Sequence, residues 1–259
     1  MKFIDTHAHM YSTQFDGDIE EAMDHALVNG IDRILLPNID RESVPLLHAL
    51  CASYPKVCYP MMGLHPCSVA EDWEKELEHL RGFFATRKYW AVGEIGIDLH
   101  WDKSTLPWQQ AAFRQQIDWA KELDLPIVIH ARESFDEIFE ILDEVNDDRL
   151  RGVFHCFTGN LSQAEKVIGY GGFKMGIGGV LTYKNSGLKE TLADIDISHI
   201  MLETDAPYLA PVPFRGKRNE SSYLLQVAIE MSRVYDRPLP EIAEITTANA
   251  VELFRLDSM

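Results

Sequence analysis

Short apolar runs alternate with longer amphipathic stretches along the whole chain. The apolar runs cover 3–7, 33–36, 58–63, 90–94, 127–130, 152–155, 172–175 and 200–203. Each is four to six residues long and bounded by polar or turn-forming residues, which predicts strands. Between them, apolar residues recur at helical spacing near 19–29, 41–53, 71–85, 108–124, 133–146, 162–170 and 186–193. A further helix is expected near 221–235, and two shorter ones within 239–254. Helix punctuation agrees. Thr105 or Leu106 precedes Pro107 where the long fourth helix should begin, and Pro126 follows its end.

Eight strands each followed by a helix is the count of a (β/α)₈ TIM barrel, so the expected fold is α/β, a single barrel domain over 1–259. Several strands are apolar throughout, as in a parallel sheet buried on both faces. An open doubly wound sheet is the rival, but it needs a glycine-rich turn after the first strand. Ala8-His9-Met10-Tyr11 is not one.

Composition adds little to the fold and more to the function. A chain of 259 residues with 46% hydrophobic and 25% charged residues can bury one sizeable core. It has no 18-residue apolar run and no secretory leader pattern, so neither a membrane partner nor export is expected. Cys51, Cys58, Cys67 and Cys156 show no C-x-x-C spacing and read as reduced thiols of a cytoplasmic protein. The net charge of −17 argues against a long duplex laid along a basic surface. It leaves room for a small phosphate-bearing substrate met by local cations.

The histidines carry the chemistry. His7 and His9, spaced i, i+2, share a face about 6.6 Å apart on an extended strand. Windows of three residues at each strand end cover about a tenth of the chain, where barrel chemistry sits. Five of ten histidines fall there: His7, His9, His65, His130 and His155. Glu94 and Asp205 fall in the fourth and eighth windows. Taken singly, His130 and His155 also fit satisfied core histidines, and Asp205 fits a turn cap. A carboxylate inside the apolar run around Glu94 is harder to explain without a partner. Together, His7, His9, Glu94, His130, His155 and Asp205 form a mixed imidazole–carboxylate set that suits Zn²⁺, Mn²⁺ or Fe²⁺ better than Ca²⁺. Six ligands suit two cations, with Glu94 as their bridge. His25, His48, His79 and His199 receive no role; His100 and Trp101 lie close enough in sequence to line a pocket.

These residues sit in stretches that resemble the TatD-type metal-dependent deoxyribonucleases of the amidohydrolase superfamily. The stretches are Phe3-Ile-Asp-Thr-His7-Ala-His9, Gly63-Leu-His65-Pro66, Gly93-Glu94-Ile-Gly96-Ile-Asp98, Pro126-Ile-Val-Ile-His130-Ala-Arg132, His155-Cys156-Phe157-Thr158-Gly159, Leu202-Glu203-Thr204-Asp205-Ala206-Pro207-Tyr208-Leu209 and Arg215-Gly-Lys-Arg-Asn219-Glu220. The resemblance implies a barrel and places the six residues above at metal-binding positions. It puts His65 near the site as a substrate-contacting or auxiliary residue. Ser221 stands where the family usually has proline, and His100 where it often has tyrosine.

The expected function is phosphodiester hydrolysis on DNA ends or short single-stranded DNA through a two-metal-activated water. The cofactors would be two divalent ions, Zn, Mg or Mn. Asp205 would accept the proton, with Glu94 as the shared carboxylate. Arg132, Lys184, Arg215, Lys217 and Arg218 are candidate phosphate contacts, Arg132 foremost because it follows His130 by two residues. No obligate protein partner is evident. Two rivals stand: an amide or lactone hydrolase on the same scaffold, and a metal-binding scaffold without turnover.

Overall fold

The computed structural model describes residues 1–257. Eight parallel strands alternate with helices: β1 (Phe3–Asp5), α1 (Ile19–Val28), β2 (Ile31–Leu36), α2 (Ser43–Ser53), β3 (Cys58–Pro60), α3 (Trp73–Phe83), β4 (Val92–Asp98) and α4 (Leu106–Leu123). There follow β5 (Ile127–Arg132), α5 (Phe135–Val145), β6 (Gly152–Phe154), α6 (Leu161–Gly169), β7 (Phe173–Ile177), α7 (Leu188–Ala193), β8 (Ile200–Leu202), α8 (Leu224–Val234) and α9 (Leu239–Phe254).

Strands β1–β3 and β4–β8 form two parallel sheets in chain order. Two seams join them into a closed barrel. At one, Thr6 N donates to Leu202 O at 3.0 Å and Asp205 N to His7 O at 2.8 Å, tying β1 to β8. At the other, Trp90 N donates to Pro60 O and Gly93 N to Met62 O, tying β3 to β4. Closure removes the sheet edges and buries both faces of each strand. That is why Ile127, Val128 and Ile129 are all fully buried.

The two faces feed separate cores. Outward residues such as Ile34, Ile95 and Ile129 pack with the helical shell. Inward residues Ile4, Leu35, Met61, Ala91, Val128, Val153 and Met201 pack with Leu253, Phe254 and Leu256 at the end of α9. Asn249 Nδ2 donates to Ile197 O and Ile200 O at the start of β8, and Thr247 Oγ1 to Lys2 O before β1. These bonds set α9 across the N-terminal mouth of the barrel, opposite the strand ends that carry the histidines.

Four expectations need correction. The segment 239–254 is one helix, because Ala and Thr at 246–250 continue the turn without a break. Strand β3 covers only Cys58–Pro60, although single hydrogen bonds from Met61 N to Leu36 O and from Gly93 N to Met62 O continue past it. The helix expected near 221–235 begins as a 3₁₀ turn over Ser221–Tyr223 and becomes α-helical only at Leu224. Strand β4 runs on to Asp98, so Glu94 lies inside it rather than at its end. A register shift between Val92 and Ile95 interrupts pairing with β5, and Glu94 N instead donates to Asn38 O.

Candidate metal centre

The C-terminal ends of the strands gather five imidazoles around one carboxylate. Glu94 is 1% exposed, and its two oxygens face different partners. Oε2 lies 3.2 Å from His7 Nε2 and 3.5 Å from His9 Nε2. Oε1 lies 2.8 Å from His130 Nδ1, 3.1 Å from His155 Nε2 and 3.3 Å from His65 Nε2. Asp205 Oδ1 completes the first group, 3.8 Å from His7 Nε2 and 3.7 Å from His9 Nε2, and the two imidazole nitrogens are 3.3 Å apart. Ligand atoms at about 2.1 Å from a tetrahedral cation stand roughly 3.4 Å from each other. The first group already has that spacing, so the donor set fits a divalent cation without rearrangement.

Hydrogen bonds at the far ring nitrogens sort the histidines. Tyr11 Oη donates to Pro37 O at 2.5 Å, so it can only accept from His9 Nδ1–H at 2.9 Å. That leaves a lone pair on His9 Nε2, facing Glu94 and Asp205. Asp98 Oδ2 accepts from His130 Nε2 at 2.8 Å, which leaves His130 Nδ1 free. Glu203 Oε1 accepts from His155 Nδ1 at 3.1 Å, which leaves His155 Nε2 free. An outer carboxylate that fixes the tautomer of a ligating imidazole is the usual support of a metal site. His65 is set the other way. Its Nδ1 accepts from Cys67 N at 3.0 Å, so Nε2 carries the proton and donates toward Glu94. His65 is thereby built as a donor, whereas His9, His130 and His155 are built as ligands.

Charge divides the histidines differently, since His65 is raised, against burial, by Glu94. Burial, with the neighbouring His155, holds the His7 imidazole well below its ordinary pKa, so it is neutral. Burial works against charge on His155 and His130 too, but Glu94 and Glu203, and Asp98 and Glu94, outweigh it and raise both. Burial also favours a protonated Glu94, yet His155, His65 and His7 hold it well below the carboxylate range. Asp205, in contrast, is pushed up to about 6, mainly by burial.

Sequence reasoning brought the six proposed ligands and His65 to one basin, and the structure places all seven there. Arg132 lines the same cleft of about 640 Å³, as do Trp101 and Tyr208. Arg218 does not: it grips Asp18 through two hydrogen bonds of 2.7 and 2.6 Å. His100 pairs with Glu133. The reading missed the supports. Asp98 and Glu203 lie inside the quoted motifs but received no role. Two glutamines of α4 also escaped notice. Gln116 brackets both backbone groups of Leu64 beside His65, and Gln109 those of Asp98. Only a buried polar position on an otherwise apolar helix face signals them. Asp5 staples β1 to β8 by accepting from Thr204 N, Thr204 Oγ1 and His7 N. Gly176 leaves room for Glu203, whose Oε2 would lie 2.1 Å from a Cβ there.

A closed parallel barrel with an imidazole–carboxylate basin at its strand ends defines a metal-dependent hydrolase scaffold. The family model of TatD-related DNases matches residues 4–255, and the chain belongs to that family. A Bacillus subtilis relative named uncharacterized metal-dependent hydrolase YabD is 38% identical, covering 98% of this chain and 99% of its own. A Yersinia pseudotuberculosis relative named 3'-5' ssDNA/RNA exonuclease TatD is 30% identical, covering 97% and 99%. The crystal structure of the TatD homolog YJJV from Escherichia coli superposes with a TM-score of 0.92 at 33% identity, over 98% of both chains.

Proposed function

We propose that this protein hydrolyses phosphodiesters of DNA ends or short single-stranded DNA, using two divalent cations. His7, His9 and Asp205 would hold one, His130 and His155 the other, with Glu94 shared between them. The observation that carries this reading is the division of Glu94, whose two oxygens face two separate sets of imidazoles. When bound, such cations lower the pKa of a water and offset the negative charge that builds on phosphorus. Mg²⁺, Mn²⁺ and Zn²⁺ all accept this donor set.

The chain's own residues supply the rest. Asp205, whose Oδ1 lies 3.8 and 3.7 Å from His7 Nε2 and His9 Nε2, is placed at the basin to take a proton from the attacking water. His65 presents its Nε2–H to the basin and serves as a donor to a substrate oxygen. Arg132 lies on the cleft wall beside Trp101, its guanidinium carbon 5.5 Å from the ring centroid, and contacts phosphate. Trp101 and Tyr208 are 73% and 48% exposed and line this cleft, so they offer faces for nucleobases. The exonuclease name of the Yersinia relative supports nucleic acid as the substrate class. Glu94 at the bridging place, where many amide and lactone hydrolases carry a modified lysine, supports phosphoryl rather than acyl chemistry.

The test is His130→Ala in metal-defined buffer, assayed on a labelled single-stranded oligonucleotide and on an amide panel. Hydrolysis of the oligonucleotide should fall about a hundredfold or more, with an unchanged circular dichroism spectrum. Full turnover by the variant would contradict the assignment.

A further inference from the structure

In a chain of net charge −17, most cations have a carboxylate partner. Arg218 pairs with Asp18, Lys189 with Glu230 and Arg151 with Asp124. Among the described residues, Lys184 and Arg215 have none within 4.0 Å. They lie on neighbouring loops, one after β7 and the other after β8, and both are exposed. Between them opens a second concavity of about 490 Å³, lined by Tyr183, Lys184, Asn185, Ser186 and Arg215. Val180 lines both this concavity and the catalytic cleft, so the two adjoin. No carboxylate lines it.

Its floor is fixed rather than loose. Tyr183 Oη donates to Ala210 O at 2.9 Å, which ties the β7 loop to the β8 loop. Thr182 Oγ1 accepts from Val212 N at 2.8 Å and donates to Gly179 O at 2.7 Å. The loops touch so closely that a Cβ on Gly179 would lie 2.0 Å from Leu209 O. The Arg215 guanidinium carbon stands 4.4 Å from the Tyr183 ring centroid, a stacked cation–aromatic pair. A planar guanidinium over an aromatic ring, flanked by a free ammonium and small polar side chains, is the equipment of a single-strand nucleic-acid groove.

We propose that this concavity is a second nucleic-acid subsite, which holds the stretch of a single-stranded substrate adjoining the scissile phosphodiester. Arg215 and Tyr183 receive a base, and Lys184 a phosphate. The inference rests on the nuclease reading of the adjoining cleft, and it adds a prediction that reading lacks: affinity grows with strand length.

The test uses metal-loaded enzyme and fluorescein-labelled, phosphorothioate-linked oligothymidylates of two lengths, a dimer and a decamer, read by anisotropy. The decamer should bind more tightly than the dimer. The double variant Lys184→Ala with Arg215→Ala should weaken the decamer roughly tenfold and leave the dimer within about twofold. The slope of log affinity against log salt for the decamer should shrink by about 0.7, the share of one single-strand phosphate contact. Equal binding of the decamer by variant and parent, or equal losses on both lengths, would overturn the subsite. Hydrolysis of bis-p-nitrophenyl phosphate is followed separately. Its absence in the parent enzyme would overturn the phosphodiesterase reading while leaving the length result to decide the groove.

Discussion

For four of the five imidazoles at the barrel mouth, the far nitrogen says what the near one is for; His7 Nδ1 is buried without a partner. His9, His130 and His155 each give their outer proton to a fixed acceptor and turn a lone pair inward. His65 does the reverse. Against the effect of burial, Glu94 with Glu203 raises His155, and Asp98 with Glu94 raises His130. Asp205 is raised to about 6, burial first. Cations need these groups deprotonated, so each raised pKa opposes binding as pH falls. Metal affinity should therefore weaken as pH falls, beginning above the ordinary imidazole range because His155 is raised well above it, and continuing as Asp205 protonates near 6, with protons released on binding. Calorimetric titration with Mn²⁺ at pH 8 and pH 6, in buffers of different ionisation enthalpy, measures both. Equal affinity at the two pH values with no proton release would contradict this account.

Among the elements, α9 and β4 show how the barrel divides stability from chemistry. The end of α9 packs Leu253 and Phe254 against Ile4, Leu35, Val128 and Met201 at the mouth remote from the histidines. Phe254→Ala should cost about 3–5 kcal/mol of stability, since the side chain is buried and its neighbours belong to a closed barrel. Urea unfolding would show it, with metal stoichiometry unchanged; an equal loss of metal would mean that the two mouths are coupled. Strand β4 teaches what a linear pattern can show. Its apolar run located the strand and picked out Glu94 as a carboxylate out of place. The register shift that turns Glu94 to the basin depends on pairing with β5 and on Asn38 just after β2, which no local pattern encodes. The other ligands were legible because they follow an apolar run near a strand end, and Glu94 because it interrupts one. Their supports were not, because Asp98, Glu203, Gln109 and Gln116 act across elements and look locally like ordinary polar residues. Arg218 was misjudged for the same reason, since Asp18 lies 200 positions away.

For the molecule as a whole, charge and site work together. A net charge of −17 repels nucleic acid over most of the surface and attracts divalent cations. Under the proposed function, cations at the basin and the free side chains of Arg132, Lys184 and Arg215 around it would make the local field opposite in sign to the rest. A nucleic-acid substrate would then be admitted at one place, end-on or as a short strand, which suits a barrel whose other mouth is sealed by α9. The central claim is that Glu94 joins two cations on which hydrolysis depends. Titration of exhaustively chelated protein with Mn²⁺, following bis-p-nitrophenyl phosphate hydrolysis, tests it directly. Activity should be absent at the start and rise to a plateau at two equivalents per chain; full activity before any metal is added would contradict it.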